Sequence, residues 1–124
     1  MIYLDTHVVV WLYAGLVGKF SLAARQLINE NELRISPIVR LELAYLAEIQ
    51  RLTTGADVIV ADLSQRIGLT LCDRAFDAVV SHATTLTWTR DPFDRLIVAQ
   101  AGLHGDVLLS KDARILTHYP YARW

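Results

Sequence analysis

The 124-residue sequence has a single cysteine, no strong net charge and no long apolar run. One cysteine, Cys72, excludes a disulfide within the chain, which is typical of the reducing cytoplasm. The net charge of −1 gives no general attraction for polyanions, so such a partner would need a local cluster of cations or bound metal ions. The first five residues lack the features of a signal peptide, and no later run approaches a membrane-spanning length. We therefore expect a cytoplasmic protein that has no membrane partner.

The apolar content, by contrast, is high at 53%, with 20% of residues charged, which predicts one domain with a well-filled core over residues 1–124. Short apolar runs predict strands at 2–4, 33–35, 69–71 and 107–109, and a last extended piece follows near the end. Strands that alternate with helices predict an α/β fold, a three-layer α/β/α sandwich with a mainly parallel sheet. The predicted helices are 6 to about 15, 22–31, 37–50, 56–67, 74–83, 91–104 and a short one after 112.

The helix predicted to begin at Asp91 contains an acid that its own helix does not explain. Asp91 suits the N-cap and Pro92 suits the first helical position. Asp94 follows at the third position, with Ile97 and Val98 on the same face, so this face is predicted to be buried. Because Asp91 supplies the cap, we expect Asp94 to serve another purpose, such as holding a cation.

Three further acids are predicted to lie near Asp94. Asp5 and Asp112 each come just after a strand, and the carboxyl ends of parallel strands meet at one edge of a sheet, where helix starts also lie. Glu42 projects from an apolar helical stripe. Singly, these acids also suit structural roles as caps, turn residues or members of ion pairs. Together they would repel one another unless cations lie between them, and an all-oxygen cluster suits Mg²⁺ or Mn²⁺.

The ordered set of motifs resembles that of PIN-domain proteins, and it is similar to the VapC-type ribonuclease toxins of bacterial toxin–antitoxin pairs. The resemblance spans the whole chain. It departs from the common pattern at His7, where many relatives carry Asn, and in the two aspartates of the Asp91 helix, which leave the third metal ligand open between them. The motifs are Tyr3-Leu4-Asp5-Thr6-His7, Ser36 with Glu42, Arg90 to Arg95 followed by Leu-Ile-Val-Ala-Gln-Ala, Leu108 to Asp112, and Trp124.

The resemblance implies a Mg²⁺- or Mn²⁺-dependent endoribonuclease whose metal-activated water hydrolyses RNA phosphodiester bonds. It implies further a small cognate antitoxin protein as partner, and we expect a homodimer. The implied catalytic and metal-ligating residues are Asp5, Glu42, Asp94 and Asp112. Candidates for substrate contact are Thr6, Ser36, Arg40, Arg90, Asp91, Arg95, Ser110 and Lys111.

Two other interpretations remain open. The chain could be a non-catalytic PIN-fold binding module, although retention of all four acids argues against this. It could also be a phosphoacceptor signalling domain, which uses acids, Mg²⁺ and a lysine such as Lys111. That class requires an aspartate at the end of a central strand, whereas Asp57 and Asp62 lie in a helical pattern. Trp11 and Trp88 suit either the core and a partner interface or stacking against RNA bases.

Overall fold

The computed structural model describes all 124 residues and contains a five-stranded sheet in which every neighbouring pair is parallel. The strand order is β3-β2-β1-β4-β5. The predicted α/β fold with a mainly parallel sheet is therefore confirmed. The strands are β1 (Ile2–Leu4), β2 (Leu33–Ile35), β3 (Thr70–Leu71), β4 (Val107–Leu109) and β5 (Ala122–Arg123).

Seven helices connect the strands, at or near the predicted bounds. A single 3-10 turn at Val17–Lys19, which the sequence pattern did not predict, follows the first helix. That helix ends as predicted at Gly15, whose φ of 69° lies in the left-handed region that glycine adopts most readily. The helices are α1 (Thr6–Ala14), α2 (Leu22–Glu30), α3 (Pro37–Glu48), α4 (Ala56–Ile67), α5 (Phe76–Ala83), α6 (Pro92–Gly102) and α7 (Ala113–His118). None of them combines the length and apolar composition that crossing a membrane requires.

The central strand β1 fixes the position of the site. It is buried along its length and pairs with β2 on one side and β4 on the other, so that Leu4 lies opposite Leu109. The chain builds β1, β2 and β3 in one direction and then returns to place β4 on the other side of β1. Residues after β1 and β4 therefore flank the crevice where the strand order reverses, which is the usual binding position in such sheets.

Local signals account for the helix starts. Ser36 caps α3, Asp91 caps α6 as predicted, and Pro37 and Pro92 occupy the first helical turn. The start of α5 differs from the prediction, since the helix begins at Phe76 and not at Arg74.

Arg74 forms an ion pair and a hydrogen bond and does not begin a helix. Its guanidinium donates to Asp106 Oδ2 at 2.7 Å and to the carbonyl oxygen of Gln100 at 2.9 Å, and it lies 5.3 Å from the centre of the Tyr3 ring. The hydroxyl of Tyr3 donates to the sulfur of Cys72 at 3.0 Å. We call these five residues the balanced cluster, because its acid is paired with a cation.

Candidate active site

A cleft of about 400 Å³ opens at the carboxyl edge of the sheet, beside the end of β1. Five of its eight lining residues are acids, one is a lysine and one is hydrophobic. The cleft therefore carries a large excess of negative charge in a protein that is close to neutral overall. The lining residues are Asp5, His7, Trp11, Glu42, Asp91, Asp94, Lys111 and Asp112.

Asp5 lies deepest, at the start of α1. Its backbone N–H donates to the carbonyl oxygen of Leu109, which continues the pairing of β1 with β4. Its carboxylate accepts hydrogen bonds from the Thr6 N–H at 2.8 Å and from the Ser110 hydroxyl at 2.7 Å. Burial raises the pKa of Asp5, although these two hydrogen bonds act in the opposite direction. The carboxylate is thus held in one orientation by both neighbouring strand ends.

Glu42 is half-buried on α3 and faces Asp5. Its carboxylate accepts a hydrogen bond from the Thr6 hydroxyl and forms no ion pair, so the structural alternative of a distant arginine partner is wrong. Burial raises the pKa of Glu42, the Thr6 hydrogen bond opposes the shift, and the charges of Asp5 and Asp91 add to it. Thr6 therefore positions this acid.

Asp94 lies in the first turn of α6 and is partly buried. Its carboxylate accepts no hydrogen bond from the protein, whereas Oδ1 of Asp91 accepts from the N–H groups of Phe93 at 2.9 Å and Asp94 at 3.4 Å. Asp91 is thus the N-cap, as predicted. Burial, followed by the charges of Asp91 and the three other acids, raises the pKa of Asp94 to about 7. Because the charges of all four other acids contribute to this shift, Asp94 lies in the same electrostatic environment as they do.

Asp112 is exposed at the start of α7, where its Oδ1 accepts from the N–H groups of Arg114 and Ile115 at 2.9 and 3.0 Å. The buried hydroxyl of Ser110 connects it to the deepest acid, since this hydroxyl accepts from the Asp112 N–H at 3.1 Å and donates to Asp5. Asp112 therefore acts as a cap and also lines the cleft.

The chemistry of this donor set fits a hard divalent cation. No three acid or histidine side chains converge tightly enough to form a ready-made metal cage. Mg²⁺ does not require such a cage, because it keeps several waters and binds proteins through one or two carboxylates. Several carboxylate oxygens around a wide cleft suit this mode of binding, and the absence of a thiolate from the lining set argues against a site for a softer metal.

Six of the eight predicted substrate-contact residues do not line the cleft. Two of them, Thr6 and Ser110, are fully buried and donate hydrogen bonds to the carboxylates of Glu42 and Asp5. Ser36 is buried, and its hydroxyl donates to Gln100 Oε1 at 2.9 Å and accepts from the Ile38 N–H. Ser36 therefore connects α3 to α6 and does not face the acids.

The three arginines among these six contact other parts of the protein. Arg40 pairs with Asp57 at 3.2 Å on the surface. Arg90 and Arg95 donate to backbone carbonyl oxygens of the loop that precedes α6, at 3.0 and 2.8 Å. These side chains stabilise local structure, and Lys111 is the one lysine or arginine that lines the cleft.

Two cleft residues were not among the predicted site residues: His7 was noted only as a departure from the family pattern, and Trp11 as a residue of the core, of a partner interface or of a base-stacking contact. They are one helical turn apart on α1, with ring centres 6.2 Å apart. Trp11 also packs edge-on against Phe20 and Trp124, with centre distances of 6.2 and 5.7 Å. The i, i+4 spacing directly after Asp5 was the available signal, because it places both rings on one helix face.

Known proteins with similar sequences and structures share this architecture. The family model of the PIN domain matches residues 2–119. The chain therefore belongs to the PIN-domain family, as its motifs predict. It is 34% identical over 123 residues to Ribonuclease VapC22 of Mycobacterium tuberculosis, which covers 93% of this chain and 89% of that protein.

Solved structures share the fold at lower identity. DNA-bound VapBC from Salmonella typhimurium gives a TM-score of 0.68 at 22% identity, over 98% of this chain and 94% of that one. VapBC2 from Rickettsia felis, bound to a promoter DNA fragment, gives 0.67 at 20% identity, over 98% and 96%. At these identities the similarity shows a common fold.

Proposed function

We propose that the protein is a Mg²⁺- or Mn²⁺-dependent endoribonuclease that acts in the cytoplasm as the toxin of a toxin–antitoxin pair. The observation that carries this proposal is the cleft at the carboxyl edge, where five carboxylates face one another with a single lysine. The relationship to a protein named as a VapC ribonuclease supports RNA as the substrate.

The polar residues in and around the cleft have two proposed roles: some bind the metal ion, and others orient the metal ligands or bind RNA. Asp5, Glu42, Asp94 and Asp112 would hold the metal. When bound, the cation lowers the pKa of a water molecule and stabilises the leaving oxygen of the phosphodiester.

The remaining polar residues prepare the site for RNA. The hydroxyls of Thr6 and Ser110 fix the carboxylates of Glu42 and Asp5 by direct hydrogen bonds, so these acids need not reorganise when a cation binds. Lys111, at the rim, attracts the phosphate backbone.

The test is RNA cleavage by the purified chain with EDTA, then with Mg²⁺ or Mn²⁺ restored. We expect no cleavage in EDTA and full recovery with the metal. Asp77→Asn is the matched control, because Asp77 is an exposed acid in the first turn of α5, outside the cleft, and its loss should leave the rate unchanged. Undiminished cleavage in EDTA would contradict the metal mechanism, and cleavage of DNA alone would contradict the substrate.

The antitoxin partner has a suitable surface. A mainly apolar groove of about 370 Å³ lies between α1, α2 and α4, and Trp11 lines both this groove and the acidic cleft. An antitoxin segment in the groove would reach the acids past Trp11 and place a basic side chain among them. Several solved neighbours are toxin–antitoxin complexes, which supports such a partner. Expression of the chain alone in its native host should arrest growth, and harmless expression would contradict the toxin assignment.

A homodimer is proposed from a different surface. Exposed apolar side chains lie on α3 and at the start of α5, where Leu41, Tyr45, Ile49 and Phe76 are between 44 and 66% exposed. Burial of these side chains against a second copy would remove a large apolar area from water. Light scattering at micromolar concentration should give twice the mass of the chain, and Phe76→Glu should reduce it to that of the monomer.

The alternative of a non-catalytic binding module predicts RNA binding without cleavage under every metal condition. The alternative of a signalling domain is contradicted by the family and by the structure, since Asp57 and Asp62 lie on α4 and pair with Arg40 and Arg66.

A further inference from the structure

The imidazole of His7 is an exposed ring at the edge of the acidic cleft. The backbone of α1 starts at the buried Asp5, and the next residue, Thr6, is fully buried while it holds Glu42. His7 follows directly, is exposed, and lines the same cleft as the acids. Its side chain makes no hydrogen bond within the protein and no ion pair, so the ring is available to a ligand.

A set of aromatic side chains lies behind this ring. Trp11 is tilted by 49° relative to the His7 ring and packs against Phe20 and Trp124, which also contact each other. The Nζ of Lys19 lies 5.1 Å from the centre of the Trp11 ring. The imidazole of His7 therefore lies beside the carboxylates on one side and packs against a supported indole on the other.

The aromatic rings of His7 and Trp11 suit a different ligand group from the one that the neighbouring carboxylates bind. Flat aromatic faces bind unpaired nucleobases by stacking, and histidine is one of the side chains that does so. A phosphodiester placed among the carboxylates has a base on each side, and His7 presents an exposed aromatic ring to the same cleft.

We propose that His7 stacks against the nucleobase next to the scissile phosphate, so that the enzyme requires an unpaired base at that position. Trp11 acts as a positioning residue, which holds α1 and the imidazole at the edge of the cleft. This inference rests on the proposed ribonuclease function. It specifies the substrate as single-stranded or looped RNA, because a base inside a duplex is already stacked on its neighbours.

Four variants separate stacking from other uses of an imidazole. His7→Phe keeps an aromatic face, His7→Asn keeps a polar side chain without an aromatic ring, and His7→Ala removes both. His104→Ala is the control, because His104 is exposed outside the cleft. We expect KM to rise roughly tenfold in His7→Ala and His7→Asn with kcat little changed, while His7→Phe and His104→Ala stay near the parent.

The opposite order of activities among the His7 variants would overturn the proposal. If His7→Asn cleaves as well as the parent while His7→Phe fails, the side chain acts by hydrogen bonding. A fall in kcat in His7→Phe, or weaker Mn²⁺ binding in all three variants, would assign His7 to proton transfer or to the metal.

A base-removal cycle tests the contact directly and does not depend on cleavage. One RNA is prepared intact and with a single abasic site at each position around the cleavage point, and its equilibrium binding is measured in an Asp94→Asn background. Loss of the contacted base should weaken binding roughly tenfold when His7 is present and have no effect in His7→Ala.

An equal loss at every position in both backgrounds, or no RNA binding at all, would overturn the stacking contact. If the parent binds RNA with this base dependence but cleaves nothing with any divalent metal, the proposed function fails while the stacking contact stands.

Discussion

Two polar clusters lie on the sheet, and they handle buried charge in opposite ways. In the balanced cluster, Asp106 pairs with Arg74 at 2.7 Å. In the cleft, Asp5, Glu42 and Asp94 have no cationic partner within ion-pair distance. The hydroxyls of Thr6 and Ser110 orient two of these carboxylates without neutralising them.

The difference distinguishes stability from function. A charge pair that is compensated inside the protein needs no ligand, so removal of one member leaves the other buried and unpaired. Uncompensated acids destabilise the fold on their own and become favourable only when a cation binds. Burial, together with the neighbouring carboxylates, raises the pKa of Asp94 to about 7. The balanced cluster therefore serves the fold, whereas the charge of the acidic cleft is left uncompensated by the protein itself.

The largest expected effect separates the two aspartates of the α6 start. Asp94→Asn should lower Mn²⁺-dependent RNA cleavage roughly a hundredfold or more, because a metal ligand needs its negative charge. Asp91→Asn should leave cleavage mostly intact, since asparagine caps a helix about as well as aspartate. Both variants should melt close to the parent in EDTA, and their rates are measured side by side.

The reverse result, with Asp91→Asn inactive and Asp94→Asn active, would exchange their roles. Loss of activity in both would make the α6 start a donor of two ligands.

The balanced cluster should respond in stability. Arg74→Met leaves Asp106 and the Gln100 carbonyl oxygen without their donor, and we expect a loss of about 2 kcal/mol in the free energy of unfolding. Arg66→Met is the matched control, because Arg66 makes a similar pair with Asp62 on the exposed face of α4. Urea unfolding in EDTA should show little change for the control. Equal losses in the two variants would show that burial is not what distinguishes the clusters.

Glu42→Gln should have the opposite pattern of effects, with stability retained and metal affinity reduced. The amide oxygen still accepts from Thr6, while one repelling charge is lost, so the metal-free variant should be no less stable than the parent. Mn²⁺ affinity, measured by titration calorimetry, should fall roughly tenfold. A large loss of metal-free stability with unchanged affinity would assign Glu42 to the fold.

The smallest effect is a pH slope in the metal-free protein. Folded Asp94 keeps its proton up to pH of about 7, whereas the unfolded chain loses it near the ordinary value of 3.8. The folded state thus binds more protons between these values, and its stability should fall as the pH rises through this window. The raised pKa values of Asp5 and Glu42 act in the same direction. Asp94→Asn should flatten the slope, and an unchanged slope would show that Asp94 does not titrate there.

Local signals made much of the fold predictable. Ser36-Pro37 and Asp91-Pro92 fix helix starts through atoms only a few residues away, and the short apolar runs at 2–4 and 107–109 become β1 and β4. The parallel arrangement predicted that the site lies at the carboxyl edge of the sheet. The four predicted acids line one cleft there.

Contacts between distant residues could not be predicted in this way. Ser36 has the right type and position for a site residue, yet its hydroxyl bonds to Gln100, 64 residues away. Arg74 was predicted to open a helix, but its charge is taken up by Asp106. His7 and Trp11 needed the exact direction of α1 relative to Glu42, which depends on tertiary packing.

The hydrogen bond from Ser110 to Asp5 spans 105 residues of chain. Synthesis on the ribosome delivers Asp5 early and Ser110 and Asp112 only after β2 and β3 have been made. A nascent chain that stops short of β4 has one side of the crevice and cannot orient its deepest carboxylate. The complete cleft therefore forms late, once the last third of the chain has been made and β4 has paired with β1.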